Sequence, residues 1–275
     1  MEMNGRVAVV TGAASGIGLA MTERFVAEGM SVVMADIEVE VLTLEADRLR
    51  TAGGAVTDVV CDVSDSDAID ALKDRALDAY GAVHLLANNA GVASGQVNYK
   101  TSPAVWRWMV DVNLLGPAYG ISAFVPLMIE QGEGHVINTA SEAGLASSGL
   151  LGAYHATKYA VVGLSESLWL ELQGTGVGVS CLCPELVRTR IFESTRNAPA
   201  ELGFPPARPV NISDIENWMQ STAMEPADVA ADVAHAVRAN RFWILTHQVS
   251  HQRVQHRNAD LETGRNPRPR LNQPQ

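Results

Sequence analysis

The sequence predicts an α/β fold: one doubly wound domain in which a seven-stranded parallel sheet carries helices on both faces. Three observations predict it. Short β-branched runs alternate with longer stretches of 3.6-residue apolar spacing. The strand-like runs are apolar throughout, as strands covered on both faces are. A glycine-rich turn follows the first run directly and opens the first helical stretch.

The strands are read at Arg6–Val10, Ser31–Ala35, Val56–Cys61, Val83–Ala87, His135–Thr139, Val177–Leu182 and Phe242–Thr246. Between them, Ile17–Ala27, Ala68–Tyr80, Val105–Met128 and Tyr154–Leu172 carry helical apolar spacing, and no repeat of solenoid length interrupts the order. The alternation lapses from Thr189 to Pro226, a stretch with five prolines and one candidate helix, Ile212–Met224, capped by Asn211 or Ser213. A long irregular insertion in a compact domain reads as a lid, so residues 189–226 are the expected substrate cover. Residues 1–250 form the nucleotide-binding and catalytic domain on this reading. Residues 251–275 form a polar, basic tail whose last dozen residues read as disordered.

Composition narrows the partners. The chain has 275 residues, is 47% hydrophobic and carries a net charge of −11, from 31 acidic and 20 basic residues. With no basic patch interleaved with aromatics, nucleic acid is excluded as a partner. The tail from His251 holds five arginines against Asp260 and Glu262, a net +3 that leaves −14 on the rest and disfavours acidic carrier proteins. Cys61, Cys181 and Cys183 lie in or at the ends of apolar runs and read as buried thiols of a reducing compartment, with no second pair to make Cys181 and Cys183 a metal site. No uninterrupted apolar stretch of about 18 residues and no signal peptide is apparent, so the expected location is the cytoplasm, away from membranes.

After the first strand, Thr11-Gly12-Ala13-Ala14-Ser15-Gly16-Ile17-Gly18 permits a tight turn and close approach of backbone N–H groups to a pyrophosphate at a helix N-terminus. Asp36 ends the second strand. Its carboxylate either accepts from both hydroxyls of an adenosine ribose or caps the next helix. In the first role it repels a 2′-phosphate, and neither Ser15 nor Ile37 offers a cation to rescue one, so NAD is favoured over NADP. Tyr154 and Lys158 stand four apart on one helix face. A phenol titrates near about 10, and exchanging its proton at neutral pH takes a preference of about 4 kcal/mol for phenolate. A neighbouring ammonium pushes in that direction.

The glycine turn, Asn88-Asn89-Ala90-Gly91 after strand four, Asn113 in a long helix, Ser141 after strand five and Tyr154-x-x-x-Lys158 occur in one order. Together, over residues 4 to 246, they resemble the short-chain dehydrogenase/reductase family, with its single-domain Rossmann fold. The resemblance implies that Asp62 touches the adenine with its side chain and Val63 with its backbone, Asp62 being alternatively the cap of the helix from Asp65. It also implies that Asn89, Ala90 and Gly91 line the ribose side, with Asn88 stabilising the sheet. Pro184, Val187 and Thr189 match the loop that holds the nicotinamide carboxamide. Glu185 stands where the family commonly has glycine, and either faces the nicotinamide or turns to solvent, Arg188 or Arg190. The C-terminus lacks the family's glycine-rich end, which puts a homotetramer in doubt, while the helices from Val105 and Tyr154 imply at least a homodimer.

In the implied chemistry Tyr154 exchanges the proton at the substrate oxygen, and Lys158 lowers the phenol pKa and binds the nicotinamide ribose. Ser141 donates to the carbonyl or alkoxide oxygen. Asn113 holds a water linking Lys158 to solvent, or else satisfies a helix kink near Gly116-Pro117. His155, about 100° round the helix from Tyr154, has no catalytic role. The expected lining is Val92, Ala93, Ser94, Ala143, Leu145, Leu150, Leu151, Leu186 and the lid residues Ile191, Phe192, Trp218 and Met219. With almost no charge in it, a neutral, hydrophobic secondary alcohol or ketone is the expected substrate. The Thr246-His247 pair and the long lid resemble those of bacterial dehydrogenases of aryl-propane alcohols. The expected reaction is NAD-dependent hydride transfer. The alternatives are an NADPH-dependent carbonyl reductase and a catalytically silent nucleotide-sensing scaffold.

Overall fold

A computed structural model describes residues 1–204 and 223–268. Seven strands, β1 (Val7–Thr11), β2 (Ser31–Asp36), β3 (Val56–Val60), β4 (Leu85–Asn88), β5 (Gly134–Thr139), β6 (Val177–Leu182) and β7 (Trp243–Ile244), form one parallel sheet in the order β3-β2-β1-β4-β5-β6-β7. The order reverses between β1 and β4, and ligands of open parallel sheets bind in the crevice outside the strand ends at that point.

Alternate strand residues feed two cores, because successive side chains leave a strand on opposite faces. On one face Ala8, Val10, Val32 and Met34 pack with Met21 and Phe25 of α1 (Gly16–Ala27), Leu42 and Leu49 of α2 (Val39–Thr51) and Val229, Val233 and Val237 of α7 (Pro226–Arg238). On the other, Val9, Val33, Val136 and Val179 pack with Ile69 and Leu72 of α3 (Ser66–Tyr80), Phe124 and Met128 of α5 (Gly116–Gln131) and Leu168 of α6 (Gly152–Glu171). Each fully buried side chain of this size stabilises the fold by about 1.5–3 kcal/mol.

The predicted long helix from Val105 is α4 (Pro103–Val110), capped by the Ser102 hydroxyl, running through a π-helical turn at Asp111–Leu115 into α5. By length and hydropathy, Pro103–Gln131 is apolar enough to cross a membrane. Part of it packs on the sheet and on α6, with Val105, Trp108, Met109, Gly120, Phe124 and Val125 all buried, and its most apolar window is 44% buried.

Two expectations change here. The polar stretch after the last strand is a fifteen-residue helix, α8 (Gln248–Glu262), running well into what reads as a tail. Its buried residues are Ser250, Arg253 and Asp260, so it has no apolar stripe for periodicity to detect. The last strand is also shorter than predicted, two residues at the sheet edge. Of the predicted lid, Ile191–Asn197 and Ala200–Leu202 form short 3₁₀ helices. Met224 pairs with Val187. Most of the candidate helix at Ile212–Met224, with Trp218 and Met219, lies outside the described residues, as do residues 269–275.

Candidate active site

The predicted residues gather at the C-terminal ends of β1, β2, β4, β5 and β6. In the turn after β1 the glycines are required by crowding. A Cβ on Gly12 would lie 2.9 Å from Ala90 Cα, and one on Gly18 would lie 2.0 Å from the Gly12 carbonyl oxygen. This packing brings the turn against the segment after β4. The Thr11 hydroxyl accepts from the N–H groups of Asn89 (2.9 Å) and Ala90 (3.1 Å), and the Asn89 amide donates to Thr11 O at 3.0 Å. Asn89 thus stitches the turn to β4, while Asn88 donates to Asn138 Oδ1 at 2.9 Å, and Asn138 donates to Ser165 Oγ at 3.0 Å. That buried chain ties β4, β5 and α6 together, the sheet-stabilising role expected of Asn88. Ser15 occupies the cap position of α1 without a side-chain capping bond, Ile17 is half-buried behind it, and a Cβ on Gly16 would meet Thr189 Cγ2 at 3.0 Å.

Asp36 caps no helix. One carboxylate oxygen accepts from Ala14 N–H (2.9 Å) and the other from Glu38 N–H (3.0 Å), which pins the acid against the glycine turn. Asp62 is likewise not the cap of α3, because that position belongs to Asp65, whose side chain accepts from Asp67 N–H. Asp62 instead closes its own turn by accepting from the Ser64 N–H and hydroxyl, and Val63 is buried under Gly116. Cys61 ends the same strand, its thiol pushed up to about 12 by burial.

At the other end, Lys158 is buried to 3% exposure, donates to Thr139 O at 2.7 Å and lies 5.7 Å from the centroid of the Tyr154 ring. Burial lowers its pKa from 10.5 to about 8. The Asn113 amide is spent on Val92, accepting from its N–H (2.8 Å) and donating to its carbonyl (2.9 Å), with a further bond to Thr157 Oγ1 at 3.2 Å. It does not serve the helix bend. The π-helical turn places Asn113 so that a Cβ on Gly91 would lie 3.3 Å from Asn113 Oδ1 and 3.4 Å from Lys158 Nζ. Asn113, Gly91 and Lys158 therefore meet within one side chain's width. The Ser141 hydroxyl donates to Pro184 O at 3.3 Å and accepts from Ala143 N–H at 3.1 Å. Glu142 N–H reaches the same proline carbonyl at 2.8 Å, which joins the ends of β5 and β6. Behind Lys158, the Cys181 and Cys183 sulfurs lie 3.7 Å apart, and hydrogen bonding to Cys181 together with burial pushes the Cys183 thiol up. No acid, histidine and thiol group capable of holding a metal occurs among the described residues.

Glu185 corrects the sequence reading. Its side chain, 15% exposed, pairs with neither Arg188 nor Arg190, which bond Glu225 and Glu193. Its partner is Arg253 of α8. His155, expected to have no catalytic role, is structurally committed. One ring nitrogen bonds Ala143 O (2.8 Å) and the other meets the Ser148 N–H and hydroxyl at 3.1 Å each, which holds the loop facing Tyr154. That loop ends in Leu150 and Leu151, both with φ near +60°.

Val92, Ala93, Ser94, Ala143 and Leu186 of the expected lining are buried, whereas Leu150 and Phe192 are more than half exposed. A wall that sequence reading missed adjoins Tyr154. The Trp108 ring of α4 lies 5.7 Å from that of Phe204 at a 55° tilt, and Ala198, Leu202 and Phe204 of the predicted lid, like Tyr154, pack on the cluster of Val92, Val105, Trp108 and Ala153. Also missed was Arg196, whose guanidinium forks onto Glu38 with bonds of 2.9 and 2.8 Å. It ties the lid to the loop after Asp36, and the Arg196 side chain, hydrogen-bonded to Glu38, lowers that carboxyl's pKa.

Comparison with known proteins agrees with this arrangement. A family model described as short chain dehydrogenase matches residues 6–200. A short-chain dehydrogenase/reductase from Burkholderia phymatum, solved in complex with NAD, superposes with a TM-score of 0.93 at 40% identity, covering 99% of this chain and 100% of that one. A 1-deoxy-11-beta-hydroxypentalenate dehydrogenase of Streptomyces exfoliatus is 35% identical over 249 residues, 90% of this chain and 84% of the relative. A C alpha-dehydrogenase of Sphingobium is 31% identical over 248 residues, 89% and 81% of the two chains. With this match over residues 6–200 and relatives of this identity and coverage, the chain belongs to the short-chain dehydrogenase/reductase family.

Proposed function

We propose that the protein is an NAD-dependent oxidoreductase that moves a hydride between nicotinamide and a neutral, hydrophobic secondary alcohol or ketone, with Tyr154 as general acid and base. The observation that carries this reading is the buried Lys158 ammonium beside the Tyr154 ring, in contact with the segment after β4.

The residues present fit a dinucleotide. The glycine turn, packed too tightly for a Cβ at Gly12 or Gly18, ends at the start of α1, whose N–H groups would hold a pyrophosphate. Asp36, held by Ala14 N–H, is placed to accept from a ribose diol and to repel a 2′-phosphate. Arg196, a cation near that edge, is committed to Glu38, which favours NAD over NADP. Asp62 and Val63 would face the adenine, Asn89, Ala90 and Gly91 the ribose, and Pro184, Val187 and Thr189 the carboxamide. When bound, the nicotinamide supplies the hydride donor or acceptor. Tyr154 gives or takes the proton at the substrate oxygen. Lys158 stabilises the phenolate, and Asn113, locked onto Val92, shapes the path from Lys158 towards solvent. Ser141, which now donates to Pro184 O, turns its proton to the substrate oxygen.

The apolar wall of Trp108, Leu202 and Phe204 beside Tyr154 supports a bulky, uncharged substrate covered by residues 189–226. The relatives' names, a hydroxypentalenate dehydrogenase and a C alpha-dehydrogenase, are in keeping with such an alcohol. The helices α4 to α6 would pair two copies of the chain. A panel of hydrophobic secondary alcohols with NAD⁺, read by NADH absorbance, tests the reading alongside the dissociation constants of NADH and NADPH. Turnover of members of the panel with tighter NADH is expected, and tighter NADPH overturns the cofactor assignment.

A further inference from the structure

Helix α8 is held to the domain by charge, and the places it grips adjoin the site residues one by one. Arg253 is ion-paired with Glu185 and lies 3.3 Å from the Glu142 carboxylate, and the Arg253 and Glu142 side chains are 4% and 1% exposed. One turn further, the Arg257 guanidinium sits 5.3 Å over the Tyr159 ring. At the start of the helix, His247 bonds Leu186 O at 3.0 Å and faces the Glu185 N–H at 3.4 Å. Glu142 follows Ser141, Glu185 follows Pro184 and Tyr159 follows Lys158 in sequence. Two arginines four residues apart share one helix face, so a single helix reaches the neighbours of all three.

Burying a guanidinium with two carboxylates is a poor way to gain stability, and buried ion pairs are best explained where they fix one geometry. Here the geometry is specific. The Ser141 hydroxyl and the Glu142 N–H already converge on Pro184 O, and Arg253 spans the two carboxylates behind that junction. We propose that Arg253 is a positioning residue of the reaction, through which the C-terminal helix holds Ser141 and the Pro184–Thr189 loop in register with Tyr154 and Lys158. The proposal rests on the reading of the site as that of an NAD-dependent dehydrogenase.

The test compares ADP-ribose, which lacks only the nicotinamide ring, with NAD⁺. Calorimetric dissociation constants for both, and kcat and KM for a turned-over secondary alcohol, are measured in the wild type, Arg253→Met, Arg253→Lys and the charge-free triple variant Glu142→Gln, Glu185→Gln, Arg253→Met. In any folded Met-bearing variant, ADP-ribose affinity should stay within about twofold, NAD⁺ binding should weaken several-fold and kcat should fall by about 10²-fold, the scale of a 1 Å misplacement. Arg253→Lys should recover part of kcat. Unchanged NAD⁺ affinity and kcat in a folded variant would overturn the proposal. Failure of both Met-bearing variants to fold, with Arg253→Lys equal to wild type, would assign the arginine to stability alone and also overturn it. A wild type that binds neither ADP-ribose nor NAD⁺ would sink the functional reading, and the proposal with it.

Discussion

The proposed adenosine end and the proposed substrate end of the site are built from different kinds of contact. At the adenosine end the working groups are backbone and short side chains at the tips of adjacent strands. Asp36 is held by Ala14, twenty-two residues away, and Thr11 meets Asn89 and Ala90 across the β1–β4 switch point. At the proposed substrate end the supports are long side chains from outside the sheet, Arg253 on Glu185 and Glu142 and Phe204 on Trp108, while Arg196 on Glu38 links the two ends. The first kind of construction follows from local turn chemistry and strand order. The second leaves room to change the substrate without disturbing the nucleotide, because its supports are side chains on the lid and the C-terminal helix.

Four substitutions probe that division. Lys158→Met, at the junction of the two ends, should have the largest effect, a loss of about 10²–10⁴-fold in kcat, since the phenol then lacks its charge partner. Steady-state NADH formation measures it, and a kcat within tenfold of wild type would break the reading of Lys158. The same variant has a pH signature. Because burial lowers the Lys158 pKa from 10.5 to about 8, the folded state carries its charge at a cost that is full below pH 8. The cost falls away as pH rises from about 8 to 10.5, where the unfolded chain still binds the proton. Wild type should therefore gain stability relative to Lys158→Met across that window in denaturant titrations, and a flat difference would contradict the buried ammonium.

Asp36→Arg acts only at the adenosine end and should move the ratio of NADH to NADPH dissociation constants by about 10²-fold towards NADPH, roughly 3 kcal/mol. An unmoved ratio, by fluorescence titration, would leave Asp36 a purely structural acid. Arg196→Ala cuts the strap between lid and adenosine loop. Partly exposed pairs contribute about 0.2–1 kcal/mol, so NAD⁺ affinity should weaken by no more than about fivefold. A larger loss by calorimetry would place the lid in direct control of the nucleotide. His155→Ala should lower kcat by a few-fold while leaving the shape of the pH–rate profile intact, because the imidazole holds the 143–148 loop and moves no proton. A lost limb in that profile would bring His155 into the chemistry.

The same contrast explains what could be read from sequence. Val177–Leu182 was legible as a strand to the residue because it is short, carries two valines and holds no charged residue. Gly12, Asp36, Ser141, Tyr154 and Lys158 could be singled out because each falls at a strand end or on a helix of the expected period. The π-helical turn at Asp111–Leu115 was not, since one widened turn does not alter apolar spacing over twenty residues. Glu185 could be singled out as unusual, but its partner could not be found. Arg253 stands sixty-eight residues on, in a helix whose buried side chains are Ser250, Arg253 and Asp260. Without an apolar stripe, such a helix reads as a tail.

The most direct test is oxidation of a hydrophobic secondary alcohol by the wild type and by Tyr154→Phe, each with NAD⁺ and followed by NADH absorbance. Tyr154→Phe should bind NAD⁺ with near wild-type affinity and lose about 10²–10⁴-fold in kcat, because phenylalanine keeps the ring beside Lys158 and on the apolar cluster around Val105 but has no proton to exchange. Turnover that survives in Tyr154→Phe would contradict the assignment of the proton-transfer centre.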